Sequence, residues 1–159
     1  IPIGPDETAG ELALRLCELG VPLILEVLDK IEKGAHIPEM QCHCEATCAP
    51  KLYKKHGEIT WDMPSQELHN RVRGFNPYPI CFTKIKMPKP RILRIFKTAM
   101  TKIPSPGPGL FTYSEDEYPL VGCSDYMIKL LEVQLEGKAK TDGKAFLNGV
   151  QNKKDITFA

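Results

Sequence analysis

The segment from Ile59 to Thr83 most constrains the fold, because a short strand, a short helix and a rigid turn follow one another in it without interruption. Its first three residues are β-formers and predict the strand. Asp62 and Pro64 then predict a helix start, with the carboxylate near unpaired N–H groups and the proline in the first turn. The residues predicted to form the buried face of that helix are Leu68, Val72 and Phe75. The residues predicted to end it are Gly74, Asn76, Pro77 and Pro79.

This segment resembles the entry to the C-terminal domain of methionyl-tRNA formyltransferases, whose pattern is similar to I-x-W-x-x-P-x-x-x-I-H-x-x-I-R-x-x-N-P-W-P. Tyr78 stands where that family usually has tryptophan. Residues 1–34 are similar to the last helices of the family's catalytic domain, residues 46–55 to its linker, and residues 128–149 to its closing strand, loop and final helix, whereas residues 84–124 match only loosely. The matching positions of the central pattern are Trp61, Pro64, His69, Asn70, Arg73, Asn76, Pro77 and Pro79.

The resemblance implies an α+β fold. Residues 1–35 would be helices from the end of a doubly wound α/β formyltransferase domain, residues 36–56 a linker, and residues 57–159 a small antiparallel OB-like β-barrel that binds tRNA. The chain would then be the C-terminal part of an enzyme that transfers formyl from 10-formyltetrahydrofolate to methionyl initiator tRNA. The family's catalytic Asn, His and Asp and its folate pocket lie on the preceding domain, so we expect no catalytic residue here and binding of the co-substrate outside this chain.

Two other functions stay open at this point. The chain is also compatible with a stand-alone RNA-binding module, or with the C-terminal part of another formyl-folate enzyme, acting on a sugar nucleotide or on water. Ile1 is not a methionine and the chain begins like the end of a strand, so we expect a fragment. Asn, His and Asp residues at formyltransferase spacing upstream of Ile1 would distinguish an enzyme from a module.

The first 35 residues predict two apolar helices. Thr8 and Glu11 have the spacing of a capping box for a helix that ends at Gly20. Pro22 suits the first turn of a second helix, and Gly34 its end. Such helices need a sheet to pack on, and none is predicted in the first fifty residues, which again indicates a missing domain.

The segment after residue 79 predicts short antiparallel strands separated by turns rich in proline and glycine. They are expected at Ile80–Ile85, Arg91–Thr98, Gly109–Tyr113, Leu120–Gly122 and Met127–Gln134. The alternation of apolar and polar residues is incomplete in Arg91–Thr98, and Ile103–Gly109 is predicted to be a loop. This set of strands indicates a small barrel, and the resemblance adds a terminal helix at residues 142–149.

Charge is distributed unevenly along the chain. The net charge is −6 for residues 1–50 and +7 for residues 51–159. A basic domain of this kind is expected to bind a polyanion, and phosphate contacts give affinity that falls steeply with salt. The residues that we predict to bind tRNA are Lys51, Lys54, Lys84, Lys86, Lys89, Arg91 and Arg94. The first two lie in the linker's K-L-x-K motif, and the other five are predicted to lie on one face. The alternative is that these lysines protect strand edges or are solvated linker charges.

Cysteine and histidine cluster in the linker at Cys42, His43, Cys44 and Cys48. Zinc ligand pairs are usually separated by ~2–4 residues, and this cluster has no second well-spaced pair, so we expect no metal. We expect free thiols in a reducing cytosol. The cysteines predicted to be buried apolar residues are Cys17, Cys81 and Cys123.

The remaining expectations concern location and single residues. No apolar run reaches the ~20 residues of a membrane span and no leader is present, so we expect no membrane association and a place in the cytoplasm or an organelle matrix. We expect a monomer whose partner is initiator methionyl-tRNA. Trp61 is predicted to anchor the core, His69 to be hydrogen-bonded near the domain junction, and Asn76 to form the turn.

Overall fold

A computed structural model describes residues 1–86, 89–150, 153 and 156–158 of the chain. Its helices are α1 (Ala9–Glu32), α2 (Ser65–Gly74) and α3 (Gly143–Asn148), and short 3₁₀ turns lie at His43–Glu45 and Lys54–Gly57. The strands are β1 (Cys81–Lys86), β2 (Pro90–Pro104), β3 (Phe111–Tyr113), β4 (Pro119–Gly122), β5 (Tyr126–Leu135), β6 (Thr141–Asp142) and β7 (Thr157–Phe158).

The strands form one antiparallel sheet in the order β3-β4-β5-β2-β1-β7, and β6 pairs with β5. The two edge strands approach each other: the ring of Phe111 in β3 stacks on that of Phe158 in β7, with the centroids 5.8 Å apart. The sheet is therefore a nearly closed barrel. The α+β class and the small antiparallel barrel are confirmed, whereas a doubly wound domain is not seen in the described residues.

Strand β2 is longer than predicted and contains a bulge. Its pairing with β5 shifts register on both sides of Lys97. Leu93 and Ile95 are buried, and the next buried residue is Thr98, so the inward-facing parity changes at the bulge. This change explains the incomplete alternation in the sequence. Because β2 continues to Pro104, the loop predicted from Ile103 begins later.

Trp61 is a core residue, as predicted. Its side chain is 3% exposed, its Nε1–H donates to Oγ1 of Thr83 at 3.2 Å, and Phe158 packs edge-on against it at 5.3 Å. The predicted strand at Ile59 to Trp61 is wrong, since only an isolated bridge from Glu58 to Phe82 forms there. β7 pairs with the other end of β1. Too little of the β1 edge is then left for residues 59–61 to pair with it as a strand.

Residues 9–32 form one helix, so the prediction of two helices was wrong. Pro22 lies inside α1 and Gly20 does not interrupt it. A proline within a helix removes one backbone hydrogen bond and crowds the preceding turn, but the turns on both sides of Pro22 remain helical. The capping box of Thr8 and Glu11 is confirmed. At the other end Gly34 adopts φ +64° and its N–H donates to the carbonyl of Ile31 at 3.0 Å, which is a glycine stop of the expected kind.

No residue of α1 is buried. Large apolar side chains are exposed all along it, namely Leu14, Leu16, Leu19, Val21, Leu23, Ile24, Leu25, Val27, Leu28 and Ile31. None of the helices in the described ranges combines the length and hydrophobicity that a bilayer span requires.

Helix α2 begins differently from the prediction. Pro64 is the N-cap residue rather than part of the first turn, and no side-chain hydrogen bond caps the helix from that position. The carboxylate that accepts the N–H of Ser65 belongs instead to Asp125, at 2.8 Å. The predicted apolar face is confirmed, because Leu68 and Val72 are buried and Phe75 packs against the core. The terminal helix is also confirmed: α3 follows Asp142, whose side chain accepts the N–H of Lys144.

The cysteines differ from the prediction in two respects. Cys42 and Cys44 form a disulfide rather than free thiols; an extended Cys42 leading into a 3₁₀ turn brings their Cα atoms to 5.4 Å, within disulfide range. Cys17 is exposed rather than buried, because it lies on α1, none of whose residues is buried. Cys81 and Cys123 are buried as predicted, and Cys48 is a free, exposed thiol.

Candidate nucleic-acid interface

The outer face of the β1–β2 hairpin carries three of the predicted basic residues. Phe82 lies opposite Arg94, and Lys84 opposite Ile92. Alternate residues of a strand share a face, and opposite residues of a pair do too. Lys84, Lys86 and Arg94 therefore project from the same side, and all three are exposed.

The register divides the five basic residues that the sequence placed on one face. Arg91 lies opposite Ile85, whose side chain is fully buried. Arg91 thus has the parity of the inner face and is exposed only because it lies at the end of the strand. Lys89 precedes β2 in the connecting turn. The single-face prediction was wrong for Arg91, since sequence spacing alone did not give the pairing register.

The linker brings a further basic residue to this surface. Lys54 lines a depression of about 330 Å³ together with Arg94 and Tyr78. It also lines an adjoining open depression of about 580 Å³, whose other lining residues are Tyr53, Lys55 and Tyr78. We call these two depressions, which share Lys54 and Tyr78, the tyrosine groove. Lys51 is not among the lining residues; its Nζ lies 5.6 Å from the ring centroid of Tyr53.

Direct contacts hold the linker turn against the barrel. Arg71 donates from Nη2 to the carbonyl of His56 at 2.8 Å. Gly57 is buried, and a Cβ at this position would overlap the carbonyl oxygen of Ile80, so the two backbones touch. Asn76, in the turn as predicted, donates from Nδ2 to the carbonyl of Phe96 at 2.8 Å. Lys54 and Tyr78 are therefore held on a common rigid base.

The electrostatics of the surface are positive but not uniform. Lys84 Nζ forms an ion pair with Glu58 Oε1 at 3.1 Å, and the carboxylate of Glu136 accepts the N–H of Ile92 at 3.2 Å. Among the described residues, no acid forms an ion pair with Lys54, Lys86 or Arg94. Lys54, Lys86 and Arg94 are therefore available to an anion. The ion pair of Lys84 is exposed, and exposed ion pairs contribute little to stability.

Two residues of the sequence motif attach the N-terminal segment to the barrel. His69 is 4% exposed; its Nδ1 lies 2.9 Å from Thr98 Oγ1 and its Nε2 lies 3.2 Å from the carbonyl of Pro5. Arg73 donates from Nη1 to the carbonyls of Gly4 and Glu7, at 3.2 and 3.3 Å. The predicted hydrogen-bonded position of His69 at this junction is confirmed.

Sequence reasoning missed the two exposed tyrosines. Phe96, the aromatic residue within the basic stretch of residues 84–102, is half-buried, and Lys140 Nζ lies 5.2 Å from its ring centroid. Tyr53 and Tyr78 are 51% and 53% exposed. A signal existed for both, since each stands in a segment that the sequence singled out: the K-L-x-K linker and the N-P-Y-P turn.

No group of three or more metal-binding side chains is found in the part of the chain that the structure describes. The absence of a metal stays a prediction. The expectation that this chain contains no catalytic residue likewise stays a prediction.

Residues 51–151 match the family described as formyl transferase, C-terminal domain. The chain therefore belongs to this family, and the resemblance that its motifs carry is confirmed. Among curated relatives it is similar to the methionyl-tRNA formyltransferase of Chlamydia pneumoniae, with 37% identity over 97% of this chain and 49% of the relative. The corresponding protein of Koribacter versatilis is 38% identical over 94% of this chain and 46% of the relative. The chain spans about half the length of these relatives and corresponds to their C-terminal part.

Solved structures of HypX from Aquifex aeolicus share the fold. One variant superposes with a TM-score of 0.72 at 19% identity, covering 96% of this chain and 28% of that chain. The structure of HypX in complex with tetrahydrofolic acid has a TM-score of 0.69 at 18% identity, over 99% of this chain and 29% of that chain. At this identity the likeness concerns the fold alone.

Proposed function

We propose that this chain is the tRNA-binding C-terminal part of a methionyl-tRNA formyltransferase. The whole enzyme would transfer formyl from 10-formyltetrahydrofolate to the α-amino group of methionine on initiator tRNA. The catalytic Asn, His and Asp and the folate pocket would lie on a preceding domain, outside this chain. Similarity to such enzymes over 97% of this chain supports the proposal.

The observation that carries tRNA binding is that Lys54 of the linker and Arg94 of β2 line the same depression. Two cations from separate segments thus converge on one surface, next to the exposed lysines of β1. Contacts from such residues to phosphates fix the position and orientation of a nucleic acid without reading its sequence. The residues proposed to contact tRNA are Lys51, Lys54, Lys84, Lys86, Lys89, Arg91 and Arg94.

The division of the chain is part of the proposal. Residues 1–35 would complete a doubly wound formyltransferase domain, and the exposed apolar side chains of α1 would pack on its sheet. Residues 36–56 would form the linker and residues 57–159 the OB-like domain. Because burial of apolar side chains is the main stabilising force, the exposed α1 favours this division. The enzyme would be a cytoplasmic or organelle-matrix monomer without a metal.

The test uses the double variant Lys54→Ala/Arg94→Ala and measures tRNA affinity as a function of salt. Each phosphate contact contributes a slope of up to about 0.9 in log affinity against log salt. We expect the double variant to bind initiator and elongator tRNA more weakly and to lower the slope by up to about two such contributions. An unchanged affinity and slope would contradict the proposal.

Lys102→Ala is the matched control, because Lys102 is an exposed cation of the same strand. It lies eight residues from Arg94, or about 26 Å along an extended strand. We expect a smaller effect from it. In a second assay the chain is mixed with formyl donor and charged initiator tRNA; formylation above the uncatalysed background would show that a catalytic group lies within residues 1–159.

A further inference from the structure

The tyrosine groove combines exposed aromatic rings with cations. Tyr53 and Tyr78 are about equally exposed, at 51% and 53%. Both line the same open depression with Lys54 and Lys55. No described acidic residue forms an ion pair with either lysine. A ligand that fills this depression would therefore meet aromatic surface and uncompensated positive charge at the same time.

Tyr53 is held in place before any ligand arrives. Its backbone N–H donates to Nδ1 of His56 at 3.1 Å, and the N–H of His56 donates to the carbonyl of Tyr53 at 2.9 Å. The two rings meet edge to face, with centroids 5.7 Å apart and an interplanar angle of 76°. The imidazole thus restricts the phenol ring, which lowers the entropy lost on binding.

Tyr78 is held by the turn on which it stands. Pro77 and Pro79 flank it, and the N–H of Ile80 closes the turn by donating to the carbonyl of Phe75 at 2.9 Å. The backbone of Gly57 packs directly on Ile80. Despite this rigid support the phenol ring is more than half exposed. A large aromatic side chain kept in solvent on a rigid turn is a suitable stacking platform.

We propose that Tyr53 and Tyr78 form a stacking site for an unpaired nucleotide of the RNA, with Lys54 and Lys55 next to its phosphate. This inference rests on the proposed function and specifies which part of an RNA the groove binds. Bases within a duplex already stack on their neighbours and have no free face, so they cannot use such a site. An unpaired base has a free face whatever its identity, and the adjacent lysines suit the negative charge that accompanies it.

The second depression of the groove extends the same path. Arg94 lines it together with Lys54 and Tyr78. A strand that stacks one base on Tyr78 would carry its neighbouring phosphate toward this guanidinium. Lys54 and Arg94 thus line one depression with the ring of Tyr78, a combination of cations and an aromatic platform used by proteins that bind single-stranded nucleic acid.

The test compares the chain with its Tyr53→Ala and Tyr78→Ala variants on three probes. The probes are tRNA, a blunt RNA duplex without unpaired nucleotides, and a single-stranded RNA hexamer that contains 2-aminopurine, whose fluorescence is quenched on stacking. We expect each alanine variant to bind the hexamer roughly tenfold more weakly, to lose the quenching, and to bind the duplex as the parent does. The Phe variants, which keep the rings, should behave like the parent.

Tyr126→Ala is the matched control, because Tyr126 is an exposed tyrosine at the start of β5, outside the groove. It should leave binding of all three probes unchanged. Circular dichroism and thermal unfolding check that the variants fold. If an alanine variant does not fold, hexamer binding by the corresponding Phe variant still tests the stacking site.

Equal hexamer affinity in the parent and both alanine variants would overturn the stacking site, as would loss of affinity in the Phe variants. If the duplex binds and the hexamer does not, the stacking site is wrong and the proposed function stands. If the hexamer binds through the tyrosines and tRNA does not bind, the stacking site stands and the proposed function is wrong. Failure of every RNA to bind at low salt would overturn both.

Discussion

Asp125 accepts a hydrogen bond from the backbone N–H of Ser65 at 2.8 Å, although the two residues are 60 positions apart. The carboxylate thereby satisfies the first N–H of α2, a task that an adjacent capping residue usually performs. It also accepts the N–H of Tyr126 at 2.7 Å. One side chain therefore fixes the start of the helix relative to the start of β5.

Replacing this carboxylate should destabilise the fold. We expect Asp125→Ala to lower the free energy of unfolding by about 1 kcal/mol, as the loss of a helix N-cap does. Asp125→Asn keeps an acceptor oxygen and should lose less. Urea unfolding followed by circular dichroism measures both. Ser124→Ala is the control, because Ser124 is an exposed neighbour that contacts α2's entry only through its backbone; an equal loss there would refute the assignment.

The same contact predicts an effect of pH. The hydrogen bond from Ser65 is the main reason that the pKa of Asp125 lies below its ordinary value of 3.8. A lowered folded-state pKa adds stability above the unfolded pKa, and this stability disappears as the pH falls through the folded value. The parent should therefore lose more stability than Asp125→Asn below about pH 4. An equal loss of stability in the parent and in Asp125→Asn as the pH falls would contradict this prediction.

The thiols should differ in reactivity. Burial raises the pKa of both Cys81 and Cys123 to about 12, so almost none of either is thiolate near neutral pH. Cys17 and Cys48 are exposed. We expect iodoacetamide at pH 8 to modify the exposed pair in the folded chain and the buried pair only after unfolding, as peptide mass spectrometry would reveal. Labelling of Cys42 and Cys44 without reductant would rule out their disulfide.

Arg73 should control the attachment of the N-terminal segment. Its guanidinium donates to the carbonyls of Gly4 and Glu7, and the N–H of Gly10 donates to the carbonyl of Asn76 at 3.0 Å. A hydrogen bond from a charged group contributes about 1.5–3 kcal/mol. We expect Arg73→Ala to speed hydrogen exchange at Gly10 by roughly tenfold. Gln66→Ala, an exposed change in the same helix, should not alter it.

Local patterns predicted the parts of the fold that depend on few neighbours. The apolar spacing of α2, the capping box at Thr8 and the burial of Trp61 each follow from residues close together in the sequence, whereas the terminal helix after Asp142 was implied by the family resemblance. The sequence also indicated the antiparallel barrel, because its strands alternate with strong turn signals. These features need no knowledge of long-range pairing.

Features that depend on long-range contacts were missed or wrong. The cap of α2 comes from Asp125, which only the folded sheet brings near. The faces of Lys84 and Arg91 depend on the register of the β1–β2 hairpin, and the tyrosine groove exists only where the linker packs on the turn at Tyr78. The continuity of α1 was missed because Gly20 and Pro22 indicate a helix boundary locally, whereas the helix continues through both.

The bulge in β2 places two side chains that lie an even number of residues apart on opposite faces of the strand. Before the bulge Arg94 points outward beside Lys54, and after it Thr98 points inward to His69. Removing the one extra residue of the bulge would restore regular alternation and still leave Arg94 outward and Thr98 inward, because residues three apart face opposite sides of a strand. Removing two residues would turn one of these side chains to the wrong face. The surface proposed for RNA and the attachment of the N-terminal segment thus depend on the presence of the bulge or on the loss of its one extra residue alone. When sequences of relatives are aligned, a gap of one residue between Ile95 and Thr98 is compatible with this fold, whereas a gap of two residues there is not.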